Sequence, residues 1–105
     1  MPRLRRGRRQ AQRRAAIALL AAYHEARLAD LIEHVRNGLA RYDAGEIDAF
    51  EIDAVMHRYQ RAARELWKFC SASGAHAVTV ARLLEQSTAA GDLPDWWELA
   101  KPRER

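Results

Sequence analysis

The sequence predicts an all-α fold: a long antiparallel αα-hairpin, a third helix and a short C-terminal helical turn, assembled as a small helical bundle. Three observations carry the prediction. Proline and glycine number only 3 and 5 in 105 residues, so the strong helix breakers are confined to a few places. Two long stretches set apolar residues at alternating steps of four and three, the repeat that lines one face of a helix. Start and stop signals fall between these stretches and not inside them.

The first helix is expected from about residue 10 to residue 42. Ile17, Ala21, His24, Leu28, Leu31, Val35, Gly38 and Tyr42 keep the alternation, and Leu20, Ile32 and Leu39 widen the stripe. At 1.5 Å per residue, ~30 residues make a rod of about 45 Å. Gly38 costs ~1 kcal/mol relative to alanine inside a helix, so this point is expected to bend or to admit a close neighbour. Asp43–Ala44–Gly45 ends the rod, with Gly45 suited to the left-handed position after a helix. The short link to Asp48 places the next helix antiparallel.

The second helix has a well-written start. Asp48 is an N-cap, Glu51 stands three residues on for a capping box, and Ile47 and Ile52 flank it at the spacing of a hydrophobic staple. Ile52, Met56, Tyr59, Ala63, Leu66 and Cys70 then form one seam. Arg58, Arg61, Arg64 and Lys68 occupy a different face as a basic strip, with Glu65 placed to pair with Arg61 and Lys68. Ser71 to Gly74 is a turn, and Ser73 is expected to cap a third helix that ends at Gly91. Its small residues Ala77 and Ala81 suit a close approach to the second helix. Beyond the break at Leu93–Pro94, Asp95 caps a short turn, and Glu98 stands at the capping-box position. Trp96 and Trp97 point about 100° apart there, so one is expected to pack on Trp67, Phe69 or the third helix and the other to stay half exposed.

Composition sets the limits. One domain fits in 105 residues, and we assign residues 15–100 to the bundle, 1–14 to a basic arm and 101–105 to a charged tail. Alanine supplies 21 of the apolar residues and buries little area, so the core is a layer between helices. A single cysteine excludes an internal disulfide or a cysteine-based zinc cluster and fits a reducing compartment, so a cytoplasmic protein is expected. The longest strongly apolar run, Ala15 to Tyr23, is well short of the ~20 residues that span a bilayer, which predicts no membrane partner. No cofactor is expected.

Charge is unevenly placed. The arm carries Arg3, Arg5, Arg6, Arg8, Arg9, Arg13 and Arg14 and no acid, whereas the other 91 residues carry 11 basic and 14 acidic side chains. A block of like charge repels itself and is expected to be disordered until an anion neutralises it. Non-specific, salt-dependent contact of the arm and of Arg58, Arg61 and Arg64 with DNA or RNA is one functional reading. A second is purely compositional, because arginine outnumbers lysine 16 to 2, as codon usage in a GC-rich bacterial genome produces. A metal-dependent helical enzyme is a third reading: Asp30 and His34, and Asp53 and His57, are each four apart, and the hairpin brings the two pairs to one level. Neither helix carries a Glu-x-x-His or His-Glu-x-x-His pattern, so no metal ligand or catalytic residue is assigned.

The runs DAGEIDAFEID at 43–53, HRYQRAARELWKFC at 57–70 and DWWE at 95–98 resemble a family of small uncharacterised helical actinobacterial proteins. The resemblance spans about residue 19 to residue 100 and leaves out the arginine arm. It implies no particular chemistry and assigns no site residue. The reading that ranks first is a small non-catalytic interaction or regulatory protein, an antitoxin-like or adaptor subunit, that binds a protein partner or forms a homodimer. Trp67, Trp96 and Trp97 are its candidate contact residues, since large aromatics with one apolar face anchor interfaces.

Overall fold

Four helices make up the computed structural model: α1 (Pro2–Asp43), α2 (Ala49–Cys70), α3 (Ala75–Ala90) and α4 (Trp96–Leu99). It describes the backbone of residues 2–71 and 75–102, and side chains of residues 7–71 and 76–102. The all-α bundle and its antiparallel hairpin are as the sequence predicts. The molecule is a rod, 67 × 27 × 21 Å with a radius of gyration of 18.1 Å, against ~13 Å for a compact chain of 100 residues.

The caps are made of the residues that announced them. Asp48 Oδ1 accepts from the Glu51 backbone N–H at 2.8 Å, and Glu51 Oε1 accepts from the Asp48 N–H at 3.4 Å. Ile47 and Ile52 are both buried beside this box. Gly45 has φ +75°, and beside it the Glu46 N–H donates to the Arg41 carbonyl at 2.9 Å, closing α1 with the six-to-one bond of a left-handed cap. Gly91 repeats the device after α3, with φ +75° and an Asp92 N–H to Ser87 carbonyl bond of 2.8 Å. Ser73, the expected cap of α3, lies outside the described residues.

Three expectations change, and a fourth, at Gly38, resolves to one of its two alternatives. The basic segment does not stand apart as a disordered arm: α1 already begins at Pro2 and runs unbroken for 42 residues, about 63 Å, because arginine is a good helix former and no proline interrupts it. At Gly38 the close neighbour is present. A Cβ there would meet Ile52 Cδ1 at 2.9 Å and Val55 Cγ1 at 3.2 Å, so the glycine lets α2 come close. The third helix packs on α1 and not on α2. Val78 and Ala81 lie beside Gln12 to Leu19, and Leu84 and Thr88 beside Leu19 to Tyr23, so α3 runs parallel to the N-terminal half of α1. Its Val78–Thr79–Val80 run is a poor helical sequence, held by packing. Lastly, the capping box of α4 is half made: Asp95 accepts from the Trp97 and Glu98 N–H groups, both at 3.1 Å, while the Glu98 carboxylate turns to Arg58 at 3.5 Å.

The core is two clusters strung along α1. Ala16 and Leu20 meet Ala77, Ala81 and Leu84 of α3. Further on, Leu31 meets Ala62 and Leu66 of α2 and Ala100 after α4. Tyr23 packs against both. Leu20, Leu31 and Leu66 are fully buried, each stabilising the fold by about 2 kcal/mol.

Candidate interaction surface

Two flanks of the hairpin have opposite fates. Successive helical residues turn by 100°, which places each side chain relative to the line of contact between α1 and α2. That line runs through Leu31 and Gly38 on α1 and Ile52, Ala62 and Leu66 on α2, all buried. Tyr23, Arg27 and His34 on α1, and Arg58 and Phe69 on α2, lie on one flank. Because the helices are antiparallel and face each other, these sets share one side of the hairpin, and α4 sits there.

The α4 side is closed by Trp96, which packs on Phe69 as the spacing predicts, and by His34, Arg58 and Arg61, which the sequence did not place there. Trp96 Nε1–H donates to the Tyr23 hydroxyl at 2.8 Å, and its ring lies 5.4 Å from that of Phe69. The Trp97 ring is stacked on His34 at 4.3 Å with the planes 3° apart, and the Arg58 guanidinium carbon lies 4.3 Å from its centroid. Arg58 Nε and Nη2 also donate to the Trp97 carbonyl at 3.0 and 2.8 Å. Arg61 donates twice to the Ala100 carbonyl, at 3.3 and 3.2 Å, and so does not make the expected pair with Glu65, which meets Lys68 at 3.1 Å. Two of the three arginines of the expected basic strip therefore hold the C-terminal turn, satisfying carbonyls that a short helix leaves open. Arg64 stays exposed. Both tryptophans of α4 are half-buried in this clamp.

A cleft of about 490 Å³ opens beside the clamp, lined among others by Arg27, Asp30, His34, Asn37 and Trp97. Arg27 Nε lies 3.2 Å from Asp30, and His34 lies flat on Trp97. His57 lies at 3.2 Å from Asp53 on the surface of α2. The two Asp/His pairs are not brought together, because His34 belongs to the α4 flank and His57 lies on the outer face of α2, opposite the buried Leu66. Among the described residues no group of three or more His, Cys, Asp or Glu is placed to hold a metal ion. Cys70 is half-buried, and burial raises its thiol from 9.0 to about 11, which makes it a packing residue and a poor nucleophile.

The opposite flank is uncovered and apolar. Ile32 (45% exposed) and Leu39 (44%) on α1, and Met56 (41%) and Trp67 (60%) on α2, lie along it. Leu28, Val35 and Ala63, half-buried, complete the strip. Sequence reasoning placed Ile17, Ile32, Leu39, Tyr42 and Met56 in or beside the seams of the hairpin; all five are exposed. The legible signal was the width of the stripe, which exceeds what one antiparallel neighbour covers.

The basic segment forms the protruding end of the rod. Arg8, Arg9, Arg13 and Arg14 are exposed and, spaced at 100° per residue, point all round the helix. The side chains of Arg3, Arg5 and Arg6 lie outside the described residues. Among the described residues no helix is long and apolar enough to cross a membrane. No family model, curated protein or solved structure matches this chain.

Proposed function

We propose that the chain is a small non-catalytic interaction protein of the regulatory or adaptor kind, antitoxin-like in scale, which binds a protein partner or itself through the open side of its hairpin. The observation that carries this reading is the apolar flank opposite α4, where Ile32, Leu39, Met56 and Trp67 face solvent. The exposed atoms of these four come to roughly 400 Å², within the range of the largest patch on an ordinary monomer. Support also comes from the α4 side, where Arg58 and Arg61 are bonded to the Trp97 and Ala100 carbonyls within the chain. The test is a pull-down with the tagged full chain from its native cells, beside an Ile32→Glu/Trp67→Glu variant, together with the solution mass of each. The reading expects a protein species retained by the wild type and lost with the variant. A monomer that retains nothing the variant does not also retain refutes it.

A second reading rests on the charge of the protruding helix. Seven arginines without an acid on an extended rod favour contact with a phosphate backbone. Binding of DNA and RNA, compared at about 50 and 300 mM salt for the full chain and a chain beginning at Ala15, decides it. Equal and weak retention by the two removes this reading.

A further inference from the structure

The open flank carries a pattern that selects one occupant, a second copy of this chain. The argument rests on the interaction reading above and specifies its partner. An ordinary monomer of 12.0 kDa exposes about 6,000 Å², whereas this chain exposes 8243 Å². The protruding turns of α1 supply part of that excess and the open flank another part. The roughly 400 Å² exposed by its four most open residues is about half of the ~800 Å² per partner of a standard interface, before its half-buried members and rim are counted.

The register is what points to self-association. Gly38 lies level with Ile52 and Val55, and Tyr23 level with Phe69, so each position on α1 faces the α2 position whose number makes a total near 92. On the rim of the flank, α1 carries Glu25 and Arg36, eleven residues apart, and within the flank α2 carries Met56 and Trp67, again eleven apart. Eleven residues are close to three turns, so each pair lies on one line along its helix. The midpoint of the α1 pair falls between residues 30 and 31, and that of the α2 pair between 61 and 62. These midpoints are at the same level of the hairpin.

We infer that two chains stack open face to open face about a two-fold axis that lies between them, crosses the helices at this level and relates α1 to the partner α1 antiparallel. One axis then sets Glu25 against the partner's Arg36, Arg36 against the partner's Glu25, and each Trp67 against the partner's Met56. Such an interface is isologous and closes after two copies. The thioether on an indole is a favourable contact, and acid over base fixes the register. Among the described residues Arg36 pairs with Glu33, at 2.8 Å on the exposed surface, a pair that surface screening makes weak. The product is a four-helix layer made of two hairpins, with α4 and α3 on its outer sides and the two basic helix ends projecting from opposite ends.

The experiment is light scattering and sedimentation of the purified full chain at about 50 µM, where a micromolar dimer is largely formed. The expected mass is twice 12.0 kDa. Trp67→Glu and Met56→Lys, both at exposed positions and checked for retained helicity, each raise the dimer Kd by about 30-fold or more. Glu25→Arg weakens it several-fold, and adding Arg36→Glu to the same chain restores it, because the reversed pairs match again. A monomeric wild type overturns the inference. If the native-cell pull-down nonetheless retains a different protein that Ile32→Glu/Trp67→Glu loses, the interaction reading survives without it. A dimer indifferent to Trp67 and Met56 overturns the proposed face. Failure of the double reversal to restore association overturns the two-fold register.

Discussion

Replacing Arg58 by alanine tests the view that the basic strip of α2 is a device for docking α4. Its side chain is only 17% exposed. It donates twice to the Trp97 carbonyl, at 3.0 and 2.8 Å, and lies 4.3 Å from the centre of the Trp97 ring. Hydrogen bonds from a charged group contribute about 1.5–3 kcal/mol, and a desolvated cation–π contact up to about 2 kcal/mol. These overlap in one side chain and do not add, so the loss expected for the docking of α4 is about 2–3 kcal/mol. The readout is local. The Leu99 N–H donates to the Asp95 carbonyl and the Ala100 N–H to the Trp96 carbonyl, and both amides exchange with solvent when α4 opens. Hydrogen exchange at these two positions is expected to accelerate about 30- to 150-fold, at 1.4 kcal/mol per factor of ten. Arg58→Lys recovers little, since lysine supplies neither the planar fork nor the stacking face. Arg64→Ala, one turn beyond the clamp and exposed, leaves the two amides unchanged. Less than a threefold change in Arg58→Ala, or an equal change in Arg64→Ala, refutes the docking role.

Gly38→Ala gains ~1 kcal/mol of helix propensity, but its Cβ meets Ile52 Cδ1 at 2.9 Å and Val55 Cγ1 at 3.2 Å. Crowding of about 1–3 kcal/mol outweighs the gain, so urea denaturation should show a net loss near 1 kcal/mol. Asp48→Ala removes the acceptor of the capping box and is expected to cost about 1 kcal/mol, read as a fall in Tm of a few degrees. Cys70 sits raised from 9.0 to about 11 because burial disfavours its thiolate. The unfolded chain therefore loses the thiol proton at lower pH than the folded one, and this group's share of stability is whole below pH 9 and lost as pH rises toward about 11. Alkylation of the folded protein at pH 8 should accordingly run at least tenfold slower than of the urea-unfolded chain, since the thiolate is the reacting form; equal rates would contradict the burial.

The ends of the helices and the α1–α2 hairpin were legible in the residues themselves. Asp48, Glu51, Gly45, Gly91 and Asp95 act through neighbours fewer than six positions away, and chemistry of that range is written along the chain. The same holds for the close approach at Gly38, because only one residue type lacks a Cβ. What could not be read was how far round each helix the contact with its neighbour lies. Ala62 is buried while Met56, in the seam by spacing, is exposed, since the apolar stripe of α2 is broader than the strip α1 covers. Arg58 and Arg61 look like a solvated face until the C-terminal turn, some forty residues on, presents its carbonyls to them. Periodicity measures which side of a helix avoids water. It carries no record of which element arrives to cover that side, and α3 chose α1 over α2 because the chain turned back along it. In this protein the sequence by itself determined where α1 ends, where α2 and α4 begin and where the chain turns between α1 and α2. Only the tertiary structure decided which apolar flank is spent on the chain's own core and which is left facing out, because that choice depends on distant elements competing for the same surface.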